Sequence, residues 1–404
     1  MGGDVRMRGF QSRTAVDDVW RLIAERIAPI GDERVPFTRA LGRILAADVV
    51  ADRDVPPHPK SAMDGYAVRA ADLPGRLRVV GELMAADRST RVLACGEAVR
   101  IMTGARVLDG ADAVVMVEKT RLDGDTVIIE EAIPSGANVL ARGEDLRAGS
   151  AVLGAGRRIR PQDLAMLATV GSLEVPVKRR PRVRLIPTGT ELIPVGATPQ
   201  GSEVVESNSF MLAALAERDG AETEIHPIVP DDAGLLERAV RDGSPDLVVI
   251  TGGSSVGQQD LAPVVLRKIG ELPVHGVHAR PASPSGLGFV GGTCVLLAPG
   301  FPVASMVAWD LFGREVVQRM QGLAPFLPYA VVRIRLGHAI EKPAPRVDVV
   351  RVVLAREGGG LPEARSIAGG AALLSTTTRA DGFLLLPAGL TRFDAGAECD
   401  CHLY

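Results

Sequence analysis

The apolar positions change their spacing several times along the chain, and each change predicts a different kind of element. Over "AVDDVWRLIAERIAPI" (15–30), Val16, Val19, Leu22, Ile23 and Ile27 fall on one helical face, and Thr14 opens a capping-box-like T-x-x-D before it. After Ala51 the texture becomes short apolar runs cut by Gly, Pro and Asp: "LRVVGEL", "EAVRIMTG", "ADAVVMVE", "DTVIIEEA". These alternate and stop as strands with turns do, so residues 54–140 are predicted to be mostly β. "RPQDLAMLATVG" (160–171) returns to a helical period with Gly171 as its stop, and "SLEVPVKRRPRV" continues as strand and linker.

From Val183 the rhythm is strand, loop, helix. Strands are predicted at 183–187, 223–229, 246–251, 272–277 and 294–299, with helices at 209–220, 233–243 and 302–320. Apolar strands alternating with amphipathic helices imply parallel βαβ units and a doubly wound sheet. Beyond the linker-like "GLAPFLP" (322–328), strand candidates follow one another to Tyr404 without a convincing helix, with a Gly-rich hairpin tip at "EGGGLPE" (357–363). The fold class expected is therefore multidomain α/β plus β, closing in a small β-barrel-like domain.

Length and composition narrow this picture. A chain of 404 residues exceeds one ordinary core and favours two to four domains. Aromatics are only 3 %, so the cores must be built from Val, Leu, Ile and Ala. A formal net charge of −3 supplies no positive field for a phosphate backbone, which argues against a nucleic-acid partner. No leader-like apolar region follows the N-terminal charges and no run approaches a membrane span, so a cytoplasmic protein without a membrane partner is expected. Cys95, Cys294, Cys399 and Cys401 are too few and scattered for a disulfide framework or a four-cysteine zinc site; Cys399 and Cys401 read as strand neighbours.

Ligands of an open parallel sheet bind beyond the carboxyl ends of its strands. Three loops at such ends have unusual composition. "PTGTEL" (187–192) carries Glu191, and "TGGSSVGQQD" (251–260) carries Gly252, Gly253, two hydroxyls at Ser254 and Ser255, and Asp260. "APGFPVAS" (298–305) stiffens a turn with Pro299 and Pro302, the latter suited to a first helical position. Singly, each loop could be a turn and each carboxylate a cap; together they suggest a nucleotide or phosphate site with a divalent cation, Mg²⁺ rather than zinc because the donors are hard oxygens. No G-x-S-x-G elbow exists, and His275 with His278 is too little for a metal or triad reading. Farther upstream, "PPHPKSAMDGYAVRAAD" (56–72) makes a proline-stiffened approach to one carboxylate, Asp64, at what reads as a glycine turn.

"SAMDGYAVR" (61–69), "RIMTGA" (100–105), "RGEDLRAG" (142–149), "PTGTEL", "ITGGSSVGQQD" and "APGFPVAS" occur in the order and approximate spacing of the MoeA family, the molybdopterin molybdenumtransferases related to the E-domains of plant insertases and gephyrin. The chain resembles that family from about Val16 to its end. The resemblance implies a homodimer of elongated, four-domain subunits. Residues 10–50 with 145–180 would form a discontinuous helical and linker dimerisation domain, 51–144 a mostly β insert, 181–326 a MogA-like α/β molybdopterin-binding domain, and 327–404 the C-terminal β domain. It also implies Mg²⁺-dependent hydrolysis of adenylylated molybdopterin, molybdate transfer to the dithiolene and release of AMP. A MogA-type adenylyltransferase and apo-molybdoenzymes would be partners. By motif, Asp64, Thr103, Asp145, Glu191 and Asp260 carry over as catalytic residues, Glu191 and Asp260 also as metal ligands. Gly252, Gly253, Ser254, Ser255, Asp231, Asp232, Arg280, Ser283, Pro299, Pro302, Arg351 and Ser375 carry over to substrate binding.

Departures from the family pattern fall in the anion pocket. "ARPASP" (279–284) keeps one cation, Arg280, but has Ser283 where a lysine is usual; "APGFP" places Phe301, "TGTEL" places Thr190, and Lys60 stands where Asn is common. A paralogue acting on a related pterin nucleotide or on tungstate, or a cofactor carrier or scaffold of the same fold, stays open beside the insertase reading.

Overall fold

The structure, a computed structural model, describes residues 13–253, 261–342, 345–355 and 360–404. The chain forms two compact units, one of Asp32–Val177 and one of Met1–Gly31 together with Lys178–Tyr404. Helix α1 (Val16–Arg26) opens the second. Val16, Val19 and Ile23 are its buried stripe, and Asp17, Asp18 and Arg26 sit at the ends where the helix dipole favours them. Thr14 does not cap this helix. Its backbone N–H donates to Gly276 and its carbonyl accepts from His278, a bridge that holds Thr14 extended, so the helix starts after Ala15 without a side-chain cap.

The unit 32–177 contains a six-stranded sheet of β1 (Gly65–Val68), β2 (Gly75–Leu83), β3 (Glu97–Ile101), β4 (Ala113–Met116), β5 (Arg121–Asp123) and β6 (Thr126–Ile129). The order is β4-β1-β3-β2-β6-β5, with only β2 and β3 parallel. Alternation along β1 sends Ala67 to one core and Tyr66 and Val68 to the other, so both faces are covered. Helix α2 (Pro161–Thr169) has proline at its first turn, where the missing N–H is harmless, and buries Leu167 among Leu45, Val49, Val175 and Val177. Gly171, at φ +73°, ends it as the sequence predicts.

The second unit is built on a sheet of β7 (Arg182–Pro187), β8 (Glu222–Ile225), β9 (Leu247–Thr251), β10 (Glu271–His275), β12 (Gly286–Val290) and β13 (Thr293–Ala298), ordered β8-β7-β9-β13-β12-β10; β11 (Ala279–Arg280) lies outside it. Helices α3 (Asn208–Arg218), α6 (Pro302–Ala308) and α7 (Arg314–Met320) cover one face with α1. Helices α4 (Ala233–Arg241) and α5 (Ala262–Ile269) cover the other. Strand alternation decides the split: Val183, Leu185, Leu247 and Val249 point to the first face, Ile186, Val248 and Ile250 to the second.

Three expectations need correction. The sheet is not wholly parallel, because β10, β12 and β13 form an antiparallel meander. Its key strand, β12, had no expectation; Gly291 and Gly292, both at positive φ between Val290 and Thr293, make the tight two-residue hairpin that produces it. Helix α5 was also unforeseen, and the strand expected over 223–229 stops at Ile225. The helix expected over 302–320 is interrupted by a π-turn at Trp309–Gly313, where a side chain on Gly313 would collide with the Trp309 ring.

The C-terminal strands β14 (Ala330–Leu336), β15 (Val347–Ala355), β16 (Glu363–Ser366), β17 (Gly382–Leu386) and β18 (Glu398–Leu403) close on themselves as a small barrel, with one helical turn, α8 (Ser375–Thr378), between β16 and β17. Cys399 and Cys401 alternate on β18 as expected, with Cys401 buried in the barrel core. Of the Gly-rich hairpin tip expected at 357–363, residues 357–359 lie outside the described residues. Tyr329, just before β14, anchors the barrel to the α/β layer. Its hydroxyl donates to Asp310 at 2.9 Å and accepts from Arg218 at 2.6 Å, while its ring stacks edge-on against Phe383 and Tyr404.

Candidate active site

Parallel register aligns Pro187, Thr251 and Ala298 at the carboxyl edge of neighbouring strands. The three loops singled out in the sequence therefore leave the sheet side by side. They wall a cavity of about 620 Å³ that holds Glu191, Gly252, Gly253, Pro299 and Pro302, together with Phe301, Asn208, Leu192 and Val204. Ala372 and Leu374, from the barrel loop before α8, complete it. Among the described residues lining it there are two carboxylates, Glu191 and Glu206, and no lysine or arginine.

Glycine is required at two places here. Gly252, at φ +86°, sits where a Cβ would lie 2.3 Å from the Thr188 carbonyl oxygen. Gly189, at φ +148°, lies beneath the Glu191 carboxylate, which occupies the space a side chain would take. Glu191 is exposed toward the cavity. Asp231 accepts from the Thr190 hydroxyl at 2.9 Å and from its backbone N–H at 3.2 Å, so threonine donates where an aspartate would repel. Asp232 accepts from Leu235 N–H at 2.7 Å and caps α4, which is its structural role here. Ser254, Ser255 and Asp260 lie outside the described residues.

Arg280 is exposed on β11, and Ser283 is half-buried with its backbone carbonyl accepting from Val277; neither lines the cavity. Pro284, one residue on, does. Arg351 is buried in β15 at 6 % exposure, yet among the described residues its guanidinium donates only to the Gly369 carbonyl, at 3.1 Å, and its Nε has no partner. Burial pushes its pKa down, as expected of a cation without a carboxylate. Ser375 begins α8, exposed, one residue beyond Leu374. The loop from Gly369 to Leu374 thus links the Arg351 contact to the cavity wall, and the Ala371 carbonyl accepts from Val303 N–H at 3.0 Å.

Residues the sequence reading did not single out are Thr188, Thr251, Glu206, Ser207 and Asn208. Asn208 opens α3 and donates from Nδ2 to the Gly300 carbonyl at 2.7 Å, clamping the third loop. The one local signal was a polar "ESNS" run at a helix start. A more open depression of about 730 Å³ along α4, from His226 to Asp242, holds none of the predicted site residues. Among the described residues no group of three or more His, Cys, Asp or Glu side chains is placed to hold a metal ion.

In the unit 32–177, Asp64 is held rather than loose. Its Oδ1 accepts from Thr103 N–H at 2.6 Å and from the Thr103 hydroxyl at 2.7 Å, and these two bonds, the backbone one foremost, hold its carboxyl below the ordinary value. The neighbouring glycine is not the pivot of a turn. Gly65 starts β1, where a Cβ would stand 1.9 Å from the Val115 carbonyl oxygen, so close strand approach is what demands glycine. Ser61, buried, donates to the Met63 carbonyl at 2.5 Å and fixes the approach to Asp64. Asp145 is exposed, and its backbone N–H donates to Val55. Since the folded-state pKa of Asp64 is depressed, its contribution to local order is present above the unfolded value and lost as pH falls through the folded one. Thr103→Val is expected to move this pKa upward, yet leave it below the ordinary 3.8 because the backbone donor survives; a carboxyl-carbon NMR titration measures it.

An α/β domain with a cavity at its strand ends, completed by a loop from an attached small barrel, defines a class of multidomain α/β protein whose ligand site lies beyond the carboxyl edge of the sheet. Comparison with known proteins gives the family. Residues 14–171 match the profile described as "MoeA N-terminal region (domain I and II)", 184–319 "Probable molybdopterin binding domain", and 333–404 "MoeA C-terminal region (domain IV)". The molybdopterin molybdenumtransferase of Staphylococcus aureus (strain COL) is 32 % identical over 379 residues, covering 91 % of this chain and 90 % of that one. That of Staphylococcus epidermidis is 29 % identical over 399 residues, covering 96 % and 95 %. The crystal structure of the molybdopterin biosynthesis MoeA protein from Pyrococcus horikosii superposes with a TM-score of 0.81 at 29 % identity, covering 97 % of this chain and 99 % of that one. The chain belongs to the MoeA family of molybdopterin molybdenumtransferases.

Proposed function

We propose that this protein inserts molybdenum into molybdopterin during molybdenum cofactor biosynthesis, taking adenylylated molybdopterin and molybdate and releasing AMP. The observation that carries the reading is the cavity at the aligned strand ends, where the Glu191, glycine and proline loops meet the barrel loop 369–374. Water cleaves the phosphoanhydride to give AMP and the pterin phosphate, and molybdate condenses on the two dithiolene sulfurs, its displaced oxygen leaving as water. Glu191, with Asp260, would hold Mg²⁺, which supplies charge neutralisation at the phosphates. Their hard oxygens suit that ion, and a Mg²⁺ site needs only one or two carboxylates because water and phosphate complete it. The Gly252–Gly253 turn brings backbone close to the ligand, and the buried Arg351 cation, lacking a carboxylate, is suited to an oxyanion. Asp64, Thr103 and Asp145 are proposed to serve the same reaction in a homodimeric enzyme.

AMP release from adenylylated molybdopterin, with Mg²⁺ and molybdate, tests the proposal when it is followed together with reconstitution of an apo-molybdoenzyme. Wild type is expected to release AMP and yield active cofactor, with Asp64→Ala slower by about a hundredfold or more. Equal background release by both proteins would reject the insertase reading.

A further inference from the structure

Phe301 is 61 % exposed, the most exposed phenylalanine among the described residues, in a chain with only 3 % aromatic residues. It stands at the mouth of the cavity, on the turn that leads into α6. Its backbone is held from three directions. Asn208 donates to the carbonyl of Gly300 at 2.7 Å, the Phe301 carbonyl accepts from Ser305 N–H at 2.9 Å, and Val303 N–H donates to Ala371 at 3.0 Å. Proline on either side, at Pro299 and Pro302, stiffens the turn further. The chain fixes the base of this ring and leaves most of the residue exposed.

The surroundings select the kind of group that would cover it. Leu192, Val204, Pro284 and Leu374 make the neighbouring wall apolar, and the described lining has two carboxylates and no cation. Without a metal ion, a phosphate or oxyanion finds no counter-charge on this apolar wall, whereas a neutral flat ring needs none. About 620 Å³ is also ample for a nucleotide or pterin.

We propose that Phe301 is the stacking platform for the planar heterocycle of the substrate, selecting a flat ring without reading its edge. The inference rests on the cavity being the substrate site. A phenylalanine offers a π-face and no hydrogen bond, so it holds adenine, guanine or pterin alike, whereas a polar side chain at this turn would discriminate by edge pattern.

The test is calorimetric titration of the full chain with AMP, GMP, pterin-6-carboxylate and ribose 5-phosphate, using wild type, Phe301→Ala, Phe301→Leu and Phe301→Trp. Wild type is expected to bind at least one ring-bearing probe more tightly than ribose 5-phosphate, and AMP and GMP to within a few-fold of each other. Phe301→Ala and Phe301→Leu are expected to weaken that probe about tenfold and leave ribose 5-phosphate unchanged. Phe301→Trp is expected to keep the affinity, with its added indole emission quenched on saturation. The probe that loses affinity identifies whether purine or pterin sits on the ring. Wild-type affinity of Phe301→Ala for both purine and pterin overturns the proposal alone. Failure of wild type to bind either ring overturns it together with the reading of the cavity.

Discussion

Arg218→Ala is expected to destabilise the protein by about 3–5 kcal/mol, the largest stability effect of any single ion-pair deletion in the second unit. The guanidinium bridges three acceptors at once: Asp219 at 2.9 Å, Asp310 at 3.1 Å and the Tyr329 hydroxyl at 2.6 Å. The Asp219 side chain is fully buried and that of Asp310 nearly so, hence deletion strands two carboxylates in the interior rather than removing one surface contact. Trp309 Nε1, donating to Asp219 at 2.9 Å, remains but is neutral. Chemical unfolding followed by tryptophan emission measures the loss. Arg241→Ala, which breaks an exposed pair with Glu237, is expected to cost less than about 1 kcal/mol.

The pH dependence of that defect separates lost charge from lost packing. Burial pushes the Asp310 carboxyl above its ordinary value, and Arg218 opposes the rise. Without Arg218 the folded pKa climbs further, so between the unfolded and folded values the folded state holds more protons than the unfolded one. Stability then falls as pH rises. The destabilisation is expected to be smaller near pH 5.5 than near pH 8, and a defect equal at both would mean that packing carries the effect.

Glu191→Gln is expected to slow AMP release by about a hundredfold or more while moving the unfolding free energy by less than about 0.5 kcal/mol. Glutamine keeps the shape of the side chain over Gly189 and removes only the charge. Because the carboxylate is exposed at the cavity, its loss should cost the fold little. Rates at saturating Mg²⁺, read beside a thermal unfolding curve, check both halves. A wild-type rate in the variant would remove Glu191 from the proposed metal site; a large stability loss would make it a structural residue.

Much of the second unit was legible in local pattern. The apolar runs at Val183–Pro187, Leu247–Thr251 and Thr293–Ala298 are buried on both faces of a sheet, and such strands need no partner to be recognised, only the alternating helices between them. One interior strand was harder. Strand β12 is "GLGFV", whose two glycines weaken the strand signal, and they are present because β10 backbone approaches closely, a demand set by a segment more than ten residues away. Gly65 shows the same limit, since a glycine after an aspartate reads as a turn until the Val115 carbonyl is placed beside it.

Local pattern was enough for most of the helices and strands, for the loops that carry Glu191, Gly252 and Pro299, and for the family motifs around Asp64, because each depends on residues within one turn or one strand. Long-range pairing decided that Asp64 is gripped by Thr103, that Arg351 is buried with no carboxylate partner among the described residues, and that a barrel loop lines the cavity beside Phe301. Those outcomes follow from which distant strands pair and which charges the pairing takes out of water, and periodicity records neither.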